Sequence, residues 1–205
     1  AWWVSVTKDA VVPVVNGGNP VIETLGKSGI PRETLRRLWF GRDDSTWGSV
    51  AGVAEPARVR VYTRSDACGA AQTWAQFLGG TQEDLWGVGV YGDPGLADAV
   101  KRDALGIGFN NINYVYDART KLPIEGLAIL KIDLDGSGAI EPDEDFYSTR
   151  DDVASAIASG AYPSPPARDL HLVSRSKPSS PLVGEFLRWI LTEGQVFVEE
   201  AGYIR

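Results

Sequence analysis

Residues 4–15 alternate and then run apolar through Val11, Val12, Val14 and Val15. This is the pattern of a strand entering a core, and the turn residues Asn16-Gly17-Gly18-Asn19-Pro20 end it. Residues 28–33 (Ser-Gly-Ile-Pro-Arg-Glu) open a helix that puts Leu35, Leu38 and Trp39 on one face and stops at Gly41. Residues 58–63 form a short β-branched strand. A turn at Cys68-Gly69 follows, and residues 70–78 return to helical spacing with Trp74, Phe77 and Leu78 on the apolar side. Further on, the pattern predicts a helix over 94–105, strands over 107–116 and 127–132, and a helix over 143–159. An extended Pro-rich crossover (GAYPSPPAR, 160–168) then leads to a strand over 170–174. Residues 181–200 read as an amphipathic helix, or a pair broken near Gly194.

Strands and helices that alternate in this way favour an α/β fold. At 205 residues the chain is long enough for one large α/β unit or two small lobes. Apolar content of 43% with seven Trp and no Met is that of a globular protein. Trp2, Trp3, Trp39, Trp86 and Trp189 are expected mostly in the core, with sugar stacking as the alternative use. No run approaches the ~20 apolar residues that span a bilayer. No basic start precedes an apolar stretch, so no signal peptide is expected in these residues. The chain opens inside a strand, at Ala1-Trp2-Trp3-Val4, as expected of a mature terminus or of a chain that lacks an upstream portion.

Charge changes the picture in one place. The net charge is −7, and residues 133–152 carry eight acids against the single base Arg150, so the excess is local and the rest of the chain is neutral. A neutral body with one acidic loop argues against nucleic acid as a partner and for a cation. Within that loop, Asp133, Asp135, Ser137, Ala139, Glu141 and Glu144 fall at positions 1, 3, 5, 7, 9 and 12 of a twelve-residue calcium loop. Gly138 stands at the turn and Ile140 at the apolar position. Alternating oxygen ligands around a glycine turn wrap a hard cation, and the last Glu can close the site with both oxygens. A Ca²⁺ ion with a structural role is expected here; a solvated Asp/Gly turn capping a helix fits the same residues.

A second candidate lies between the strand over 58–63 and the helix that follows. Arg64 supplies a permanently charged planar fork, and the small residues Ala67, Gly69, Ala70 and Ala71 let backbone amides approach a ligand. A helix N-terminus adds free N–H groups and partial positive charge. Asp66 is placed to orient Arg64 or to accept a proton from hydrogen phosphate, which sulfate does not offer. An ordinary strand-to-helix turn with a surface Arg–Asp pair fits equally well. The lone Cys68 excludes an internal disulfide and any Cys-based zinc cluster and is expected to be shielded. At a helix N-terminus it could also serve as a nucleophile. A phosphatase-type Cys loop, however, wants an Arg six residues on, where Trp74 stands. The only histidine, His171, falls in a distant strand. The residues therefore favour a binding protein over an enzyme; a sensor or protein-interaction role is a further alternative.

The order Arg64-Ser65-Asp66-Ala67-Cys68-Gly69-Ala70 resembles the Arg-x-Asp-Gly-Ser-Gly-Thr signature of the periplasmic phosphate-binding protein family. Residues 11–20, 35–47, 89–100, 104–114, 168–173 and 186–204 resemble further segments of that family in the family's order. The resemblance implies a type 2 periplasmic-binding-protein-like fold, with one complete lobe, both hinge strands and the C-terminal part of the other lobe. It divides the chain into 1–18 (first hinge strand and end of lobe 1), 19–163 (lobe 2, with both candidate loops) and 164–205 (return hinge strand and C-terminal helices of lobe 1). It implies a monomeric, periplasmic or surface-anchored protein that captures phosphate, or another tetrahedral oxyanion, for an ABC permease. It places the anion on Arg64, Asp66, Cys68, Gly69, Ala70 and Ala71. Cys68 and Ala70 replace the family's hydroxyls, and a thiol is a weak donor while Ala has none. The backbone amides of 68–71 are then expected to carry the anion. The N-terminal part of lobe 1 has no counterpart in these residues.

Overall fold

The first strand, β1 (Trp2–Asn16), spans 15 residues and belongs to two neighbourhoods. In a computed structural model of the chain, which describes residues 1–42 and 44–205, its second half is buried and pairs antiparallel with β5 (Gly106–Asn111) and β6 (Leu127–Ile129). Its first half pairs antiparallel with β8 (Ala167–Ser174), from Trp2↔Ser174 to Ala10↔Ala167. Asp43, in the segment 35–47, lies outside the described residues.

After the turn at 16–19 come α1 (Ile22–Ser28), the two-residue β2 (Ile30–Pro31), α2 (Arg32–Phe40) and α3 (Trp47–Ala51). The pattern did not announce α1. It is seven residues with Gly26 inside and only Leu25 fully buried, too short and too weakly apolar to show periodicity. For α2 the expectation holds: Leu35, Leu38 and Trp39 are its buried side chains and Gly41 ends it.

The centre of the fold is parallel. β3 (Arg60–Arg64) lies between β4 (Val88–Val90) and β5, parallel to both, giving the order β4-β3-β5-β1-β6. α4 (Gly69–Leu78) connects β3 to β4, and α5 (Gly92–Lys101) connects β4 to β5. Connections of this kind leave the carboxyl ends of neighbouring parallel strands facing one crevice.

Aromatic packing fixes α2 and α4 against the sheet. Trp74 stacks on Phe109 with ring centroids 5.7 Å apart, and Trp39 meets Trp74 edge-on at 5.3 Å. The indole N–H groups of Trp39 and Trp47 donate to the carbonyls of Tyr62 and Leu105, both at 3.1 Å, so these large rings enter the core without losing a hydrogen bond. A second cluster, Tyr116, Tyr147 and Tyr162, ties the later segments to β1: the Tyr162 hydroxyl donates to the Val11 carbonyl at 2.6 Å.

Several expected boundaries move. The strand over 107–116 stops at Asn111 and tightens into a 3₁₀ turn at Ile112–Tyr114. The strand over 127–132 splits into β6 and β7 (Ile132–Asp133), and β7 pairs parallel with β2 rather than with β1. The helix over 143–159 begins only at Arg150, because Thr149 and Asp152 form a capping box there. This helix is α6 (Arg150–Ser159). The helix over 94–105 occupies Gly92–Lys101, and the strand over 170–174 reaches back to Ala167.

The pair expected over 181–200 forms as α7 (Pro181–Leu191) and α8 (Val196–Glu200), separated by a 3₁₀ turn at Glu193–Gln195. Its apolar face is uncovered: Leu182, Phe186, Trp189 and Phe197 are exposed, as are Trp3 and Val173 on the neighbouring strands. The tryptophans therefore divide. Trp39 is fully buried, whereas Trp3 and Trp189, on elements packed on one side only, and Trp86, in the loop before β4, are exposed.

This division makes a prediction. Trp74→Ala removes the ring at the centre of the α2–α4–sheet packing and is expected to lower stability by about 3–5 kcal/mol in urea denaturation. Trp189→Ala is expected to lower it by less than about 1 kcal/mol.

Candidate anion-binding site

Three strand ends meet at the crevice. Arg64 closes β3, Gly92 and Asp93 follow β4, and Asn110 and Asn111 close β5. Arg64 is only 5% exposed at its side chain and is held from two sides. Its Nε and Nη2 donate to the two Asp66 oxygens at 2.9 and 2.6 Å, a bidentate pair, and Nη1 donates to Asp93 at 2.7 Å. Asp66 is fixed in turn by the Gly92 amide at 3.2 Å, and its own carbonyl accepts from the Gln82 amide group at 2.7 Å. The expected orienting role of Asp66 toward Arg64 is therefore what the geometry supplies. Arg64 donation holds the Asp66 carboxyl down, to about 2.

Cys68 is the N-cap of α4. Its Sγ accepts from the Ala71 amide at 3.4 Å, and its own amide donates to Gln82 Oε1 at 3.0 Å. Of the four amides expected to carry an anion, those of Cys68 and Ala71 are thus occupied. Those of Gly69 and Ala70 have no partner among the described residues, as befits the first turn of a helix. The thiol is half-buried, which agrees with the expected shielding. His171 stands one half-strand away, paired with Ser5 and tilted against Trp3, with no route to Cys68 through this network.

The sequence reading missed Arg168. It lies on β8 opposite Asp9 of β1, at the point where β1 passes from one neighbourhood to the other. Its Nη2 donates to Asp9 at 3.3 Å and to Asn111 at 3.2 Å, and its Nη1 donates to Thr73 at 3.2 Å. Nη1 also lies 2.5 Å from where a Cβ on Gly69 would stand, so the missing side chain of Gly69 is what admits a guanidinium over the start of α4. Arg168 Nε is buried without a partner among the described residues. The sequence signal for this residue was an Arg at the start of a strand whose polar and apolar positions alternate over 169–172.

Five charged groups therefore share the crevice: Arg64, Arg168, Asp9, Asp66 and Asp93. Burial raises the Asp9 and Asp93 carboxyls above their ordinary values, against the pull of Arg168 and Arg64 respectively. Chemically the arrangement offers two guanidiniums and two helix amides as donors, beside carboxylates that can accept.

The acidic loop lies elsewhere, after β7. The carboxylate oxygens of Asp133, Asp135 and Glu144 come within 4.8 Å of one another. Ser137 Oγ lies 3.0 Å from both a Glu141 carboxylate oxygen and the Ala139 carbonyl, its one proton shared between these two acceptors.

The fold is that of phosphate-binding solute receptors. A protein of Clostridium perfringens, described as a phosphate ABC transporter substrate-binding protein and solved with bound phosphate, superposes with a TM-score of 0.70 at 18% identity, over 100% of this chain and 71% of its own. An ABC-type phosphate transport receptor from Vibrio cholerae gives 0.70 at 18% identity, over 100% and 72%. PstS from Borrelia burgdorferi gives 0.62 at 19% identity, over 99% and 71%. No protein-family profile and no curated protein sequence matches the chain. At these identities the likeness is one of fold, and it bears out the α/β, periplasmic-binding-protein-like architecture that the sequence resemblance implied.

Asp66→Asn removes half of the charge compensation of a buried Arg and is expected to lower stability by roughly 2–3 kcal/mol at neutral pH. Because the folded carboxyl is depressed, its contribution is present above the unfolded pKa of about 4 and fades as pH falls toward about 2. The urea midpoints of wild type and variant should accordingly converge below about pH 4.

Proposed function

We propose that the chain captures inorganic phosphate as part of an extracytoplasmic solute-binding protein and delivers it to a membrane ABC permease. The observation that carries this reading is the seat of Arg168 over Gly69: a second guanidinium held at a helix start whose Gly69 and Ala70 amides have no partner among the described residues, facing the same crevice as Arg64. A tetrahedral oxyanion needs several converging donors in one place, and the two guanidiniums with the Gly69 and Ala70 amides supply them. The carboxylates of Asp9, Asp66 and Asp93 repel a fully ionised anion but accept the proton of hydrogen phosphate, which selects phosphate over sulfate.

Residues 19–163 are read as the gripping lobe, and 1–18 with 164–205 as the hinge strands and part of a second lobe. The shift of β1 from β5 and β6 to β8 at Ala10 supports that division, and so does the uncovered apolar face of α7 and α8. Asp9 and Arg168 sit at the shift, so a ligand bound there touches both sides of the hinge and favours closure. Cys68 acts as a cap in this reading and the protein is a binder, because the thiol is engaged by Ala71 and has no acid–base partner beside it among the described residues.

Isothermal titration tests the proposal. The chain is expected to bind phosphate and to bind sulfate at least tenfold more weakly. Gly69→Ala leaves the fold intact, since only the end of a flexible side chain must move, but displaces Arg168 and should raise the phosphate Kd about tenfold or more. Unchanged phosphate binding in Gly69→Ala and in Arg168→Ala would show that the anion does not sit there.

A further inference from the structure

The acidic loop carries an inference independent of the anion site. It follows β7, whose Ile132 and Asp133 pair with Ile30 and Pro31 of β2, so its first ligand position is held by a strand. Asp133 is buried, and three loop amides converge on it: those of Gly136 at 2.7 Å and Ser137 at 3.1 Å on Oδ1, and that of Gly138 at 3.0 Å on Oδ2. Gly138 has φ of +80°, the left-handed conformation that a glycine supplies where the chain must fold back over a ligand. The apolar position is anchored as well. The Ile140 amide donates to the Lys27 carbonyl at 2.9 Å, and the Ile140 side chain fills the space that a Cβ on Gly29 would need.

Acidic loops are common without an ion, and the loop geometry alone decides nothing. Glu144 is different. It is only 6% exposed, its Oε1 accepts from the Leu134 amide at 2.7 Å, and its Oε2 is buried with no partner among the described residues. A carboxylate oxygen desolvated and left without a donor is destabilising, because the hydrogen bonds it made to water are not replaced. Glu144 belongs, with Asp133 and Asp135, to the group whose carboxylate oxygens come within 4.8 Å of one another. Among the described residues no Lys or Arg forms an ion pair with Asp133, Asp135, Glu141 or Glu144; the nearby Lys131 pairs with Asp145 at 2.6 Å. A divalent cation answers both the missing donor and the uncompensated charge.

We infer that residues 133–144 form a calcium site, with carboxylate oxygens from Asp133, Asp135 and Glu144, the Ser137 hydroxyl and the Ala139 carbonyl as direct ligands, and Glu141 completing the shell. All donors are oxygens, in a loop of flexible size, which suits Ca²⁺ better than the smaller, strictly octahedral Mg²⁺. The role is structural. An ion there ties the end of β7 and the following turn to α1 and β2, and through Tyr147, whose hydroxyl accepts from the Ile132 amide at 3.2 Å, to the tyrosine cluster on β1.

The test uses the whole chain stripped with EDTA and then given CaCl₂ or MgCl₂ at about 2 mM, near the range of extracellular calcium modules. Ca²⁺ should raise the melting temperature by several degrees and Mg²⁺ by much less. In calorimetric titration with CaCl₂ alone, Glu144→Gln should weaken binding roughly tenfold or more, and so should Asp135→Asn, an exposed position where folding is not at risk. Ser137→Asp adds a charged ligand and should tighten binding. No calcium-dependent shift in the wild-type protein overturns the inference. So does wild-type affinity in Asp135→Asn together with Ser137→Asp, which would place any bound calcium elsewhere.

Discussion

Burying a guanidinium is feasible only where carboxylates meet it, and that requirement organises the crevice of this protein. Arg64 lies at the end of a central parallel strand, out of water, and its position is fixed by Asp66 two residues later and by Asp93 from the next βα turn. Removing water strengthens each of these attractions and also makes an unpaired charge expensive, so the group holds together or fails together. Arg168, Asp9 and Asn111 repeat the arrangement on the other side, where β8 meets β1. Between the two pairs lies the start of α4, whose Gly69 and Ala70 amides have no partner among the described residues.

β1 is what brings these pieces into register. One continuous strand is fully buried among β5 and β6 at Val11, Val12, Val14 and Val15, and only partly covered where it pairs with β8. The transition falls at Asp9 and Ala10, beside the crevice. The charged groups at this transition are drawn from both neighbourhoods of the strand, Asp9 from β1 and Arg168 from β8. The same strand explains the uneven fate of the aromatic residues: Trp39 and Trp74 pack where the sheet has helices over it, while Trp3 faces outward where it has none.

The acidic loop follows a different logic. Its carboxylate and hydroxyl positions come from one short run of sequence, so spacing alone can set them, and the backbone amides that gather on Asp133 hold the loop in shape. The crevice around Arg64 and Arg168 draws on β1, β3, α4, α5, β5 and β8 and has no such local form. One loop could thus be read almost completely from its residues, whereas the crevice could be read only along one of its walls.

What the sequence determined by itself was whatever depends on near neighbours in the chain. The α2 helix with Leu35, Leu38 and Trp39 inward, the Arg64–Asp66 pair, the turn before α4, and the Asp133 to Glu144 spacing all follow from local periodicity and residue type. Tertiary structure alone decided the rest. Arg168 is 104 positions from Arg64, and no periodicity links it to Gly69, whose lack of a side chain gives it room. The capture of the Cys68 amide by Gln82 and the buried orphan oxygen of Glu144 are also outcomes of packing. Spacing along a chain sets which groups share a face, but which of them lose water and which find a partner is settled only when distant segments close over them.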